Sequence, residues 1–130
     1  MPIPILVIDD SKAVRLIAQQ ALAPFDCVVH EATNGFTGLF ALERNPAKLL
    51  VIDVSMPTMD GLEMLTMLKS HPELRQIPVI MLVATTDHKV LPKIAALGVN
   101  GMVKKPFTPA ELVTAIQAAL PLKPAKAAQR

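Results

Sequence analysis

Short apolar runs recur five times along the chain, and segments with helical spacing separate them. The runs are rich in valine, isoleucine and leucine, and they lie at residues 5–8, 27–29, 49–54, 79–83 and 101–103. Continuous apolar runs of this length are typical of strands that are buried on both faces of a sheet. Because parallel neighbours need a crossover connection, the strict alternation predicts a doubly wound α/β domain, with five parallel strands and helices on both faces.

Capping residues and prolines predict where the helices begin. Thr108 is followed three residues later by Glu111, which is the pattern of a capping box at the start of the last helix. Pro92 would remove a hydrogen bond from the interior of the fourth helix, unless that helix begins near Leu91. We therefore expect a long loop over residues 84–90, followed by a short fourth helix.

Length and composition narrow the class of protein. The 130 residues fit one domain: residues 1–121 carry the alternation, and residues 122–130 lack periodicity and are predicted to be a disordered tail. A net charge of +2 is too small for a nucleic-acid surface. No apolar run approaches the ~20 residues of a membrane span, and no signal-peptide layout is present. With a single cysteine, the chain is expected in the cytoplasm, with proteins or small ions as partners.

Charged residues follow three of the predicted strands. Asp9 and Asp10 come after the first strand, Asp53 ends the third with Ser55 two residues later, and Lys105 follows the fifth. In an open parallel sheet, the carboxyl ends of the strands form the ligand-binding edge. Three carboxylates at one edge repel each other unless a cation neutralises them, and Mg²⁺ suits such oxygen ligands. An aspartate beside Mg²⁺ and a lysine is a competent nucleophile for phosphoryl transfer.

Three sequence strings carry a family resemblance. They are LVIDDS, VIDVSMPTMDG and VKKPFTPAEL, and the match extends over residues 5–120. With these strings at this spacing, the chain resembles the response regulator receiver domain of two-component signalling, which has the flavodoxin-like fold of the CheY-like proteins. The resemblance implies that a histidine kinase or a phosphotransfer protein phosphorylates the chain in a reaction that needs Mg²⁺.

The resemblance also implies a role for each residue at the edge. Asp53 would accept the phosphoryl group. Asp10, Asp53 and the backbone carbonyl of Ser55 would hold Mg²⁺, and Asp9 would orient a water molecule on the metal. Lys105 would contact the phosphoryl oxygens, and its bond to the following proline would be cis.

The chain departs from the family at its switch positions. Val83 stands where receivers carry a serine or threonine hydroxyl, and the small residue Ala84 follows it. Met102 stands where receivers carry an aromatic residue. Thr85 lies about 6.6 Å beyond Val83 on an extended strand, so it could line the site without replacing the missing hydroxyl. We therefore expect an intact phosphoacceptor site with a weaker or rerouted conformational response.

The expected function is a stand-alone receiver that acts by protein contact through its fourth helix, fifth strand and fifth helix. It would be a switch with slow self-hydrolysis rather than a turnover enzyme. One alternative is a phosphorylation-independent interaction module with a vestigial acidic site, which Val83 and Met102 favour. Another is an aspartate-nucleophile phosphohydrolase. Such enzymes generally need an acid two residues after the nucleophile, where this chain has Ser55.

Overall fold

A computed structural model describes residues 2–125 and shows one five-stranded parallel sheet in the order β2-β1-β3-β4-β5. The strands are β1 (Ile3–Ile8), β2 (Cys27–Ala32), β3 (Leu49–Asp53), β4 (Val79–Val83) and β5 (Gly101–Lys104). The helices are α1 (Lys12–Leu22), α2 (Gly35–Arg44), α3 (Gly61–Lys69), α4 (Leu91–Leu97) and α5 (Pro109–Ala119). The doubly wound α/β fold is therefore confirmed. Within residues 2–125, every helix is too short or too polar to cross a bilayer.

The sheet separates two apolar cores, because successive residues of a strand point to opposite faces. Leu50 and Ile52 of β3 face the core beneath α2, α3 and α4. Leu49 and Val51 of the same strand face the core beneath α1 and α5. Every residue of β3 and β4 is buried, which explains why these strands read as continuous apolar runs.

The strand order reverses between β1 and β3. From β1 the chain first adds β2 on one side, and it then adds β3, β4 and β5 on the other. In register, Ile8 of β1 lies beside Ile52 of β3, and Asp53 lies beside Leu82 of β4. The carboxyl ends of β1 and β3 therefore meet at the crevice where ligands bind in open sheets.

Capping residues place the helix starts where the sequence predicts them. The side chain of Thr108 accepts a hydrogen bond from the Glu111 amide, and the Glu111 side chain accepts one from the Thr108 amide. α4 begins at Leu91 with proline in its first turn, as expected. The preceding segment, expected to be a loop, forms a 3₁₀ helix over Thr85–Val90.

The sequence predicts a disordered tail from residue 122 onwards, and the structure corrects this prediction for residues 122–125. The Leu122 side chain is buried in the core beneath α1 and α5. The Asp26 amide donates a 2.7 Å hydrogen bond to the Lys123 carbonyl. Apolar burial and backbone pairing hold this stretch against the turn before β2, which the lack of helical periodicity did not reveal. The rest of the predicted tail, residues 126–130, lies outside the described residues.

Candidate functional site

Asp9 lies directly after β1 and is fixed by hydrogen bonds on two sides. Its amide donates to the Ala32 carbonyl at the end of β2 (3.1 Å), and its Oδ1 accepts from the Ser11 amide (2.8 Å). The Ser11 side chain in turn caps α1. Asp9 is wholly buried, so its carboxylate has one defined position at the edge of the sheet.

Asp53 is the last residue of β3, and the chain folds back against it at Gly61. The Gly61 amide donates a 2.8 Å hydrogen bond to the Val54 carbonyl. A Cβ atom at position 61 would overlap the Asp53 carbonyl oxygen. Only glycine permits this approach, so Gly61 allows the chain to pack against the end of the strand. The Asp53 side chain at this strand end is 4% exposed.

The structure brings the predicted acidic residues together with Lys105. One carboxylate oxygen from each of Asp9, Asp10 and Asp53 lies within 4.8 Å of the others. The Lys105 ammonium lies 2.8 Å from Asp53 Oδ1 and 3.0 Å from Asp9 Oδ2. Its amide donates to the Val83 carbonyl (2.8 Å), and its peptide bond to Pro106 is cis. Strand ends that are far apart in sequence thus supply one cluster.

The pKa values of two of these groups, Asp53 and Lys105, are both raised in the folded protein. Burial raises the pKa of the Asp53 carboxyl to about 6, Asp9 adds repulsion, and the Lys105 hydrogen bond and charge oppose the rise. Burial acts to lower the pKa of Lys105, but its close ion pairs with Asp53 and Asp9 outweigh burial and raise it. Lys105 therefore stays charged at neutral pH, whereas burial disfavours the charged form of Asp53.

The donor set fits a divalent cation. Three carboxylates face one ammonium group, so the cluster carries excess negative charge. Among the described residues, none makes a hydrogen bond to the buried Asp9 Oδ2, since Lys105 approaches it as an ion pair without hydrogen-bond geometry. Oxygen ligands of this kind suit Mg²⁺, which takes one or two carboxylates and keeps several waters.

Ser55 and Asp87 join two loops at the edge of the site, and the sequence reasoning missed Asp87. The Ser55 hydroxyl donates a 2.8 Å hydrogen bond to Asp87 Oδ1. Asp87 is buried, and its Oδ2 accepts a 2.7 Å hydrogen bond from the Ala84 amide. An acid three residues after Ala84, the first residue beyond the predicted strand, is a capping pattern that could have pointed to it.

Arg15 is a second residue that the sequence reasoning missed. Its Nη1 donates to the Asp9 carbonyl (2.8 Å), and its Nε is paired with Glu31 at 2.7 Å. Gln19 also donates to Glu31 (3.0 Å), so the guanidinium is held from β2 while it binds the loop that carries the acidic pair. Residues sixteen positions apart in sequence give no pattern that predicts this contact.

The predicted switch positions lie at the end of β4 and on β5, and among the described residues their side chains make no polar contact with Asp9, Asp10 or Asp53. Val83 ends β4 and is buried, and Ala84 follows it. Met102 lies on β5, beside Met81 in the sheet, and is exposed. Thr85 is exposed in the 3₁₀ helix, because β4 ends two residues before it.

The fold, with charged residues clustered at the ends of its strands, is that of a receiver domain. The family model of the response regulator receiver domain matches residues 5–117. The chain therefore belongs to the response regulator receiver domain family, whose members are signalling proteins of two-component systems rather than metabolic enzymes.

Individual relatives agree with this assignment. The chain is 34% identical over 109 residues to the chemotaxis protein CheY-3 of Vibrio cholerae, covering 83% of this chain and 84% of that protein. It is 32% identical over 117 residues to protein PilG of Pseudomonas aeruginosa, covering 90% of this chain and 87% of that protein. The structure of CheY4 of Vibrio cholerae has a TM-score of 0.83 at 26% identity, covering 92% of this chain and 100% of that chain.

Proposed function

We propose that the chain is a stand-alone receiver that accepts a phosphoryl group on Asp53 from a histidine kinase or a phosphotransfer protein. The observation that carries the proposal is the Lys105 ammonium, 2.8 Å from Asp53 Oδ1, within a cluster of three carboxylates at the strand-order reversal. The chain matches CheY-3 over 84% and PilG over 87% of their own length, which supports a receiver function.

Each residue has a defined part in the proposed reaction. An Asp53 oxygen attacks phosphorus, the bond from phosphorus to the donor's leaving atom breaks, and an acyl phosphate forms. Asp10, Asp53 and the Ser55 carbonyl would hold Mg²⁺, with Asp9 beside them, and the ion would neutralise the charge of the transferred group. Lys105 provides a second positive charge next to the nucleophile.

The signalling step would use protein contact and an unusual switch. We place the output surface on α4, β5 and α5, where a groove of about 410 Å³ runs between Met102 of β5 and Thr114 of α5. Val83 supplies no hydroxyl to the phosphoryl group, so the response to phosphorylation is weaker than in typical receivers or follows another path. We place the protein in the cytoplasm, with slow self-hydrolysis at most.

Intact mass measurement after incubation with Mg²⁺ and acetyl phosphate tests the proposal. We expect one added phosphoryl group, absent from Asp53→Ala and present in Asp26→Asn, which removes an aspartate outside the site. No addition to the wild type would favour the phosphorylation-independent interaction module with a vestigial acidic site. Rapid multiple turnover of acetyl phosphate would favour a phosphohydrolase, although Ser55 occupies the place of the second acid that such enzymes need.

A further inference from the structure

Asp87 is a buried carboxylate that connects two loops at the carboxyl edge of the sheet. It is 7% exposed, although it lies in a 3₁₀ helix whose neighbouring residues, Thr86 and His88, are exposed. A buried carboxylate is costly unless hydrogen bonds satisfy it. Both oxygens of Asp87 are satisfied, one by the Ser55 hydroxyl at 2.8 Å and the other by the Ala84 amide at 2.7 Å.

The two partners of Asp87 belong to different parts of the fold. Ser55 lies two residues after Asp53, in the loop between β3 and α3. Ala84 lies between β4 and the 3₁₀ helix, and the hydrogen bond from its amide fixes the start of that helix. The 3₁₀ helix ends at Val90 and α4 begins at the next residue, so no flexible linker separates them. The Asp87 carboxylate therefore connects the loop after Asp53 to the segment that leads into α4.

The usual connection between the phosphoacceptor and this segment is missing. Val83 is buried at the end of β4 and offers no hydroxyl to a phosphoryl oxygen. Hydrogen bonds to charged groups are stronger than those between neutral groups, so a bond from the Ser55 hydroxyl to a buried carboxylate is strong enough to couple two loops. A cavity of about 290 Å³, lined by Met56, Asp87 and Val90 among others, leaves space beside the bond.

We propose that Asp87 is a positioning residue that transmits the state of Asp53 to α4 through the Ser55 hydroxyl. This inference rests on the proposed function, because it assigns the regulation of the same site. A phosphoryl group on Asp53 adds negative charge two residues from Ser55, and Mg²⁺ would bind the Ser55 carbonyl. Both changes reorient Ser55, and Asp87 passes the reorientation to the Ala84 amide and the helix that follows.

The test uses Mg²⁺ with beryllofluoride, a stable mimic of a phosphoryl group on a carboxylate. Amide NMR shifts of residues 84–97 report the transmitted change, and the fluorine resonance of bound fluoride reports occupancy. Each variant is compared at its own saturation, so a change in affinity does not enter. We expect Asp87→Ala and Ser55→Ala to reduce the shift changes at least twofold. Ser55→Thr, which keeps the hydroxyl, and Thr86→Ala, a neighbour outside the bond, should respond like the wild type.

The outcomes separate this inference from the proposed function. If wild type binds beryllofluoride but residues 84–97 do not respond, the inference is overturned and the proposed function stands. The same holds if both bond-breaking variants respond fully, or if Ser55→Thr loses as much as Ser55→Ala. If wild type binds no beryllofluoride, both are overturned. Should Asp87→Ala fail to fold, Ser55→Ala and Ser55→Thr decide the matter.

Discussion

Replacing Asp53 with asparagine should stabilise the metal-free protein at neutral pH. Burial raises the pKa of the Asp53 carboxyl from 3.8 to about 6, with Asp9 adding repulsion and Lys105 opposing it. At about 1.4 kcal/mol per unit of pKa, this rise corresponds to about 3 kcal/mol against the charged form in the folded state. The side chain is only 4% exposed, so solvent screens little of this cost. Asparagine keeps the shape without the charge, and we expect a gain of about 1–3 kcal/mol.

The gain should depend on pH in a defined direction. Below pH 3.8, Asp53 is protonated in both the folded and the unfolded state, and its charge costs nothing. Between 3.8 and about 6, the unfolded chain releases the proton while the folded protein keeps it, so wild-type stability falls as pH rises. Above about 6 the full cost is present. The advantage of Asp53→Asn should therefore be small near pH 4 and reach its plateau at neutral pH.

Urea unfolding with a metal chelator at several pH values measures this effect. Asp26→Asn is the matched control, because Asp26 lies outside the site and its change should alter stability by less than about 0.5 kcal/mol. Free Mg²⁺ at about 100 times its Kd should then add about 2.7 kcal/mol to the wild type, and much less to Asp53→Asn. If Asp53→Asn is no more stable than wild type at neutral pH, or gains equally near pH 4, the electrostatic reasoning is refuted.

Three further substitutions test other parts of the site. Val83→Thr should enlarge the NMR response to phosphorylation, because a hydrogen bond from the new hydroxyl to the charged phosphoryl group stabilises the active state by about 1.5–3 kcal/mol. An unchanged response with Asp53 phosphorylated would contradict this. Arg15→Lys should weaken Mg²⁺ binding about tenfold, as measured by calorimetry, since lysine lacks the planar guanidinium that binds Glu31 and the Asp9 carbonyl together. An unchanged Kd for Mg²⁺ would contradict this expectation. Gly61→Ala should lower the free energy of unfolding by about 1–3 kcal/mol, because its methyl group overlaps backbone; a loss below about 0.5 kcal/mol would count against that contact.

The strand ends could be predicted from sequence because they follow from local patterns. Runs such as 79–83 are apolar throughout, which fixes both the strand and its burial on two faces. Once the strands are known to be parallel, residues that follow them must meet at one edge, and Asp9, Asp53 and Lys105 do so. Capping patterns likewise located the start of α5, because a cap involves residues only three apart.

The contacts that hold the site could not be predicted, because they join side chains that are distant in sequence. Ser55 and Asp87 are 32 residues apart, and Arg15 reaches both Glu31 and the Asp9 carbonyl. The burial of Leu122 could not be predicted for a related reason, since a single apolar residue after a helix has no periodicity of its own. Such contacts depend on the orientation of individual side chains, which the strand and helix pattern does not specify.

The charged site and the contacts between its loops are therefore subject to different physical constraints. The charged site is constrained by topology, because moving any of its residues off a strand end removes that residue from the edge of the sheet. A readout made of side-chain bonds has no such constraint, because any pair of residues that spans the same two loops can carry it. Under the proposed coupling, the hydrogen bond between Ser55 and Asp87 would connect the two loops at a site where Val83 offers no hydroxyl.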